Sequence, residues 1–254
     1  SLFDGIDYVT PNETEAEMFT GVKVDTVEDC RHAAEKFLAL GVKNVIFNVL
    51  TMFKINVPEV IEVMKFDDRW AIVSRYIEGT TLSHLVSENP DKIDEYMDLF
   101  VDIQMSIHSQ TSPLLNKLKD KMNRKIGASE LDATTRYDLH TRLEGMPKHN
   151  KVCHGDFNPS NIIISEDGTA YILDWSHATQ GNASADAART YLLFWLSGDI
   201  NGAKEYLELF CKKSNTAMQY VQKWMPIVAA SQSVKGNEKE REFLLSWANV
   251  VDYE

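Results

Sequence analysis

The feature that most constrains the fold of this chain is the segment His154–Asn161, HGDFNPSN, together with the two strand-like segments after it. NIIIS and AYILDW are separated by the turn-forming residues EDGT, which predicts a tight hairpin. Asn161 lies five positions after Asp156, and Asp174 lies eighteen positions after Asp156. Because a hairpin returns the chain to where it began, we expect Asp174 to lie near Asn161.

The types of these three residues match the needs of phosphoryl transfer. That reaction uses a carboxylate to accept or orient the proton of the attacking hydroxyl, and hard oxygen ligands for the Mg²⁺ on the triphosphate. Asp156 fits the first role, and Asn161 with Asp174 fits the second. The alternative is that all three are turn and cap residues of an inactive loop, since Asp and Asn favour turns. Their order and spacing favour the catalytic interpretation.

The motifs HGDFNPSNIII and YILDWSHA resemble those of the aminoglycoside phosphotransferase and choline kinase family, a branch of the protein-kinase-like fold. The resemblance covers roughly residues 51–254. It implies ATP and Mg²⁺ as cofactors and a small molecule with a hydroxyl group as acceptor. By this resemblance Asp156 is the catalytic base, and Asn161 and Asp174 bind magnesium.

The same resemblance assigns supporting roles to other residues. His154 holds the catalytic loop, and Asp186 in ASADAART braces it. The segment IVSRYIEG corresponds to the hinge between the lobes, where backbone groups of Ser74, Tyr76 and Ile77 would meet the adenine.

The amino lobe of such a kinase is incomplete in this sequence. That lobe should begin with a glycine-rich loop over the phosphates and a strand lysine paired to a helix glutamate, and neither is assignable here. A substitute ion pair would join Lys43 or Lys54 to Glu28 or Glu35. Losing the loop and the lysine removes electrostatic stabilisation of the transferred charge, which would weaken turnover.

The first 48 residues have a different organisation. Strand-like GIDYVT is followed by two predicted helices that end at Gly21 and Gly41, and then by the buried strand NVIFNVL. This segment resembles the ribokinase-type sugar kinases, whose N-x-x-E box corresponds to Asn12 and Glu15. Ordinary helix-start chemistry also explains these two residues. The glycine-rich G-A-G-D loop of that family is absent from the sequence, which argues against a sugar kinase.

The predicted fold class is therefore α+β: a protein-kinase-like carboxy lobe with a truncated amino lobe, preceded by a small α/β fragment. In the remnant of the amino lobe, strands are predicted at Glu59–Lys65 and Trp70–Arg75. The change of pattern near Asn48–Thr51 indicates a chimera, either a natural fusion or a sequence of two origins. The predicted domains are 1–50 for the ribokinase-like fragment, 51–79 for the remnant strands and hinge, and 80–254 for the helical catalytic lobe.

The composition excludes some classes of binding partner. A net charge of −12 argues against binding to nucleic acid or to an anionic membrane surface, and suits a cationic substrate. The longest apolar runs fall short of the ~20 residues of a membrane helix. Three cysteines without metal-ligand spacing, Cys30, Cys153 and Cys211, argue against zinc and disulfides and favour the cytoplasm. The oligomeric state stays open.

Helical regions after Gly79 give weaker signals. Apolar residues at three-to-four spacing, ending at His108, predict an amphipathic helix, with His108 and His177 as structural residues. The basic stretch NKLKDKMNRKIGASE predicts a solvated helix and loop. Four late aromatic residues would either cage a quaternary ammonium or, as we expect, join the core: Trp195, Trp224, Trp247 and Tyr253.

The acceptor itself is not specified by the sequence. Acidic residues after the second motif either line a site for an amino sugar or, the interpretation that we favour, lie on the solvated surface: Asp199, Glu205 and Glu208. The leading hypothesis is a small-molecule kinase that uses ATP. A kinase-like module that binds a ligand without chemistry is the alternative favoured by the incomplete amino lobe.

Overall fold

The computed structural model describes residues 8–9, 13–24, 27–40, 44–45, 55–66, 69–234 and 238–248. These residues divide into two compact units. The amino-terminal unit comprises Ser1–Thr80, Ser112–Leu114 and Ile163–Leu173, and the carboxy-terminal unit comprises Thr81–Thr111, Leu115–Ile162 and Asp174–Glu254. The three domains drawn from the sequence remain a prediction, because this division follows spatial contacts and not the origin of the segments.

Helices and strands alternate irregularly along the chain, as in an α+β protein. The strands are β1 (Tyr8–Val9), β2 (Asn44–Val45), β3 (Val60–Phe66), β4 (Arg69–Ser74), β5 (Gly79–Thr81), β6 (Lys151–Cys153), β7 (Ile162–Ser165), β8 (Ala170–Ile172) and β9 (Thr179–Gly181). The helices are α1 (Glu13–Thr20), α2 (Val27–Ala39), α3 (Leu82–Glu88), α4 (Ile93–His108), α5 (Leu118–Gly127), α6 (Ala133–Gly145), α7 (Ala183–Leu196), α8 (Ile200–Ser214), α9 (Met218–Gln222), α10 (Met225–Gln232) and α11 (Glu238–Ala248).

The first part of the amino-terminal unit is a small α/β arrangement. β1 and β2 pair in parallel, and α1 and α2 share a core of buried residues: Ala16, Val24, Ala33 and Phe37. As predicted, α1 ends at Gly21, whose φ of +68° is left-handed and whose N–H donates to the Glu17 carbonyl at 2.7 Å. Asn12, Lys43 and Lys54 lie outside the described residues.

The rest of this unit consists of strands. β3 and β4 form the antiparallel hairpin that the sequence predicted, with a register irregularity between Val60 and Glu62. β5, β7 and β8 form a three-stranded sheet with β7 in the centre. Gly79 in β5 lies so close to the backbone of Ile164 that a Cβ atom would stand 2.4 Å from its carbonyl oxygen, which only glycine permits.

The carboxy-terminal unit is mainly helical. α7 packs against α8, α9 and α10, and α4 packs against α8. β6 and β9 form a short antiparallel ladder beside them. The largest fully buried side chains of this unit include Trp224, Tyr206, Phe100, Phe157 and Phe210. Within the described ranges, no helix has the length and apolar character that a bilayer crossing requires.

Two sequence expectations about these helices had different outcomes. The apolar face of α4 is confirmed for its second half, where Phe100, Val101 and His108 are buried, whereas Ile93 at its start is exposed. The solvated character of the basic stretch is wrong for one face of α5, where Leu118, Met122 and Ile126 are buried. Spacing of four residues places these three on one side of the helix, and the lysines between them hid that pattern.

The aromatic residues late in the chain are divided between the core and a half-buried cluster. Trp224 is fully buried, as expected of a core residue. Trp195 and Trp247 are half-buried, with ring centroids 5.7 Å apart. Tyr253 lies outside the described residues.

Candidate active site

The segment His154–Asn161, which we call the candidate loop, begins directly after β6. Val152 and Cys153 of that strand are buried, so the loop leaves the core at a fixed point. Gly155 has a φ of +81°, and a Cβ atom there would lie 2.7 Å from the His177 carbonyl oxygen. Only glycine therefore fits this turn, which immediately precedes Asp156.

Asp186 lies in the first turn of α7 and holds the start of the candidate loop. Its carboxylate accepts hydrogen bonds from the backbone N–H groups of His154 at 3.1 Å and Gly155 at 2.7 Å. Its Oδ2 lies 2.9 Å from Nε2 of His108 on α4. The contacts agree with the bracing role that the resemblance implies for Asp186.

Burial raises the pKa of Asp186, but the hydrogen bond and charge interaction with His108, together with His154 and Gly155, outweigh it. The net effect is a pKa below its ordinary value of 3.8. The carboxylate is therefore ionised at neutral pH inside the core.

Asp156 is held through both carboxylate oxygens. Nη2 of Arg189 lies 3.3 Å from Oδ1, and Nδ2 of Asn161 lies 3.4 Å from Oδ2. The side chain of Asp156 is 24% exposed, so it can reach a ligand while it stays oriented. A carboxylate fixed in this way fits a group that accepts a proton from a bound hydroxyl.

Asn161 ends the short 3₁₀ turn Pro159–Asn161, and it is fastened to Asp156. Asn158 caps the turn by accepting a hydrogen bond from the Ser160 N–H at 3.0 Å. The amide Nδ2 of Asn161 donates to the Asp156 carbonyl at 2.9 Å. Because the nitrogen is used in this way, the amide oxygen is the atom left for a cation.

Asp174 follows β8 and has left-handed backbone geometry with a φ of 52°. Its Oδ1 accepts a hydrogen bond from the Ser176 N–H at 3.4 Å. The hydrogen bond from Ser176 is the main cause that lowers the pKa of Asp174, burial opposes it, and His177 and His154 add to the lowering. Asp156 and Asn161 are joined by a hydrogen bond, and Asp174 follows β8, which is the neighbour of β7 in the sheet. The nearness of Asp174 to Asn161 stays a prediction.

These donors fit the preferences of magnesium. An ionised carboxylate on Asp174 and an amide oxygen on Asn161 are hard oxygen ligands, and Mg²⁺ is usually bound by one or two carboxylates together with water and substrate phosphates. In the described part of the chain, no three His, Cys, Asp or Glu residues cluster as a metal site. One carboxylate and one amide would leave the other positions around Mg²⁺ to water and phosphate oxygens.

The predicted hinge residues follow β4. Ser74 is the last residue of that strand, and Tyr76 and Ile77 lie in the irregular segment before β5. Tyr76 is exposed, and Ile77 is half-buried. Arg75 between them pairs with Glu59 at 2.7 Å. This irregular connection is compatible with a hinge, and its role toward a nucleotide remains a prediction.

Sequence reasoning missed one residue that contacts Asp156. Arg189 lies three positions after Asp186, one helical turn further along the same face of α7, and this spacing was the available signal. Burial lowers the pKa of Arg189, and the neighbouring Asp156 partly offsets that effect. Its Nε and Nη1 atoms are buried and have no hydrogen-bond partner among the described residues.

His108 was expected to be structural, and its position agrees with that expectation, but its partner was not foreseen. It is separated from Asp186 by 78 positions, so no local pattern connects them. His177 contributes its carbonyl oxygen, which accepts a hydrogen bond from Nζ of Lys121 at 2.9 Å.

Comparison with known families divides the chain in two. The phosphotransferase enzyme family matches residues 32–221, and the pfkB family of carbohydrate kinases matches residues 1–48. Curated relatives match the first segment alone. A pyridoxal kinase of Dictyostelium discoideum is 43% identical over 44 residues, 17% of this chain and 15% of that protein. A ribokinase of Staphylococcus aureus is 41% identical over 48 residues, 19% of this chain and 16% of that protein.

Solved structures resemble the larger segment. The aminoglycoside phosphotransferase APH(4)-Ia, in a ternary complex with ADP and hygromycin B, has a TM-score of 0.58 and 16% identity, covering 77% of this chain and 76% of that one. The choline kinase LicA from Streptococcus pneumoniae has a TM-score of 0.53 and 17% identity, covering 75% and 73%. These comparisons confirm the resemblance and the α+β, protein-kinase-like fold. The short sequence matches also confirm the ribokinase-like start.

Proposed function

Since the chain belongs to the phosphotransferase enzyme family, we propose that it is a small-molecule kinase that transfers the γ-phosphate of ATP to a hydroxyl group. The observation that carries this proposal is the fastening of Asp156 by Arg189 and Asn161. A carboxylate held at both oxygens in a partly exposed position is suited to proton transfer. The chain spans about 15% of the length of the curated relatives that it matches, so its activity rests on this site and not on those relatives.

In the proposed mechanism, the oxygen of the acceptor hydroxyl forms a bond to the γ-phosphorus, and Asp156 accepts the proton of that hydroxyl. The bond between that phosphorus and the bridging oxygen breaks, and ADP leaves. Asn161 and Asp174 would hold Mg²⁺, which supplies neutralisation of charge on the phosphate oxygens. Asp186 and His154 keep the candidate loop in place, and backbone groups at Ser74, Tyr76 and Ile77 would contact the adenine.

The acceptor that we propose is a small polar or cationic molecule, such as an aminoglycoside or choline. Two observations support this class. The net charge of −12 attracts cations, and the structural neighbours include an aminoglycoside phosphotransferase and a choline kinase.

The test is phosphate transfer from Mg·ATP to a panel of hydroxylated amines, followed by mass spectrometry of the products. We expect Asp156→Asn to lower kcat by about 10²–10⁴-fold, the usual contribution of a general base. Asp138→Asn is the matched control, because Asp138 undergoes the same change on the exposed surface of α6, where it pairs with Arg142. Full activity of the Asp156→Asn variant would refute the assignment.

A ligand-binding module without chemistry is the second candidate. The match of residues 1–48 to the carbohydrate kinases favours it, because that segment stands where a glycine-rich loop and strand lysine would be. Calorimetric titration with Mg·ATP, beside an Asp174→Ala control, separates the candidates. Binding that is lost in the control supports the kinase, whereas tight binding of an acceptor without any nucleotide binding supports the module.

A further inference from the structure

A second site lies beside the candidate loop, within the carboxy-terminal unit. An open cavity of about 390 Å³ is lined by residues of α3, α4, the candidate loop and the end of α7. Small-molecule sites commonly have volumes of roughly 300–1,000 Å³, so this one is large enough for a ligand. Asp156 does not line it; the carboxylate of Asp156 faces Arg189 and Asn161 instead.

The floor of the cavity is apolar and rigid. Leu82, Phe100 and Phe194 line it and are buried. The ring of Phe100 stacks on Phe157 with centroids 4.5 Å apart, and it meets Phe194 edge-on at 5.8 Å. Packed aromatic rings hold one another in place, so the cavity does not close by rotation of a single side chain.

Polar groups of the cavity lie opposite its apolar floor. The hydroxyl of Ser83 on α3 and that of Ser160 on the candidate loop are 3.3 Å apart, which joins the two walls of the cavity. Asp199 lies at the exposed mouth, where its Oδ1 caps α8 by accepting a hydrogen bond from the Gly202 N–H at 2.8 Å. Its other oxygen, Oδ2, also lies against Gly202 but accepts no hydrogen bond from the described residues.

The charge on the residues that line the cavity is negative. Asp199 is a carboxylate, and none of the described residues that line the cavity is Lys, Arg or His. An anionic ligand would therefore meet a like charge without a cationic partner, whereas a cation would meet a carboxylate. An apolar floor with one acidic group at the mouth is complementary to an apolar body that carries one amine.

We propose that this cavity binds a small hydrophobic amine, with the apolar body on Phe100 and Phe194 and the ammonium group facing Asp199. The site is additional to the proposed transfer site and does not depend on the proposed function. Its occupant contacts Asn158 and Ser160, which lie between Asp156 and Asn161 in the chain. Binding there is a means to change the rate of any reaction at the candidate loop.

The experiment is calorimetric titration of the full chain, without nucleotide, with three compounds that share one apolar body: 4-phenylbutylamine, 4-phenylbutanol and 4-phenylbutyrate. We expect the amine to bind about two- to fivefold more tightly than the alcohol, within the range of an exposed ion pair, and the carboxylate to bind most weakly. Equal affinities for the amine and the alcohol, or no binding of any compound, would overturn the proposal.

Variants locate the binding. Asn caps helices as well as Asp does, so Asp199→Asn keeps the cap of α8 and removes the charge. We expect it to abolish the preference for the amine and to leave the affinity of the alcohol unchanged. Val86→Trp from α3 and Met97→Trp from α4 each place a larger ring in the cavity and should weaken all three compounds at least tenfold. Wild-type affinities in folded cavity-filling variants, or a preference that survives in Asp199→Asn, would place the amine elsewhere and refute the proposal.

Discussion

Asp186 connects three parts of the carboxy-terminal unit through one carboxylate. It receives the backbone N–H groups of His154 and Gly155 and contacts His108 of α4. A buried carboxylate with such partners is stabilising only while it is ionised, since protonation removes an acceptor from groups that cannot reach water. The start of the candidate loop therefore depends on the charge of this residue.

We predict that Asp186→Asn lowers the free energy of unfolding by roughly 1–3 kcal/mol at pH 7, because a buried N–H group loses its charged acceptor. The pKa of Asp186 is depressed in the folded state, so its contribution is complete above its ordinary value of 3.8 and is lost as the pH falls through the folded pKa. The difference between wild type and variant should therefore narrow below about pH 4. Urea unfolding of wild type and variant between pH 7 and pH 3.5 measures the difference in their free energies of unfolding. A difference that does not change with pH would contradict the prediction.

Arg189 is the opposite case, since it is a buried cation whose Nε and Nη1 atoms have no hydrogen-bond partner in the described part of the chain. Each buried donor without a partner costs about 1–3 kcal/mol, which offsets the gain from the contact with Asp156. We predict that Arg189→Met changes the free energy of unfolding by less than about 1 kcal/mol and lowers kcat roughly tenfold, because Asp156 loses one of its two holds. Chemical denaturation and steady-state kinetics at saturating Mg·ATP measure the two effects. Loss of stability with unchanged kcat would instead assign Arg189 a purely structural role.

At the scale of elements, the connection from β6 to the candidate loop depends on a tight turn. Gly155 and Gly198 both have positive φ angles, +81° and +86°. A Cβ atom at Gly155 would collide with the His177 carbonyl, whereas nothing lies within 4 Å of the Cβ position at Gly198. A substitution at Gly198 therefore introduces backbone strain alone, whereas a substitution at Gly155 introduces strain and a steric collision.

We predict that Gly198→Ala costs about 1–2 kcal/mol of unfolding free energy, the cost of left-handed backbone geometry. Gly155→Ala should cost roughly 1–3 kcal/mol more, as overpacking adds to the strain, and should also abolish phosphate transfer by displacing Asp156. Thermal or urea unfolding of both variants, with activity assays, makes the comparison. Equal costs would mean that the loop relaxes around the added methyl group.

What the sequence could predict at this scale depended on the range of the interaction. The pairing of Asp156 with Asn161 was predictable because only four residues of loop and turn lie between them. The contact of Arg189 with Asp156 spans 33 positions, and its one local signal was the spacing of three residues between Asp186 and Arg189 on α7. The burial of α5 was hidden for another reason: long basic side chains surround its apolar stripe and dominate the composition of the segment.

At the scale of the whole molecule, two family signatures meet within one chain. The phosphotransferase match begins at residue 32 and the carbohydrate-kinase match ends at residue 48, so both claim part of α2. The change of family could be predicted from the sequence, since strand and helix patterns change near Asn48–Thr51. How the chain divides spatially could not, because Ile163–Leu173, far along the sequence, belongs to the amino-terminal unit.

Each unit contains a buried cluster of its own among the described residues. The buried cluster of α1 and α2 consists of Ala16, Val24, Ala33 and Phe37, all in the amino-terminal unit. Phe100, Phe157 and Phe194 form an aromatic core in the carboxy-terminal unit. Separate cores predict separate cooperative units, which open with different free energies.

Truncation of one aromatic residue in each core tests this prediction. Replacing a buried Phe by Ala costs roughly 3–5 kcal/mol. We predict that Phe37→Ala increases amide hydrogen exchange across residues 13–40 and leaves α4, α7 and α8 protected, because its described core partners all lie in the amino-terminal unit. Phe100→Ala should do the reverse. Exchange measured by mass spectrometry on both variants distinguishes the cases, and an increase throughout the chain from either substitution would show one cooperative unit. If Phe37→Ala leaves the carboxy-terminal unit protected, amine binding at the cavity beside α3 should also persist in that variant, since every described residue that lines the cavity belongs to the carboxy-terminal unit.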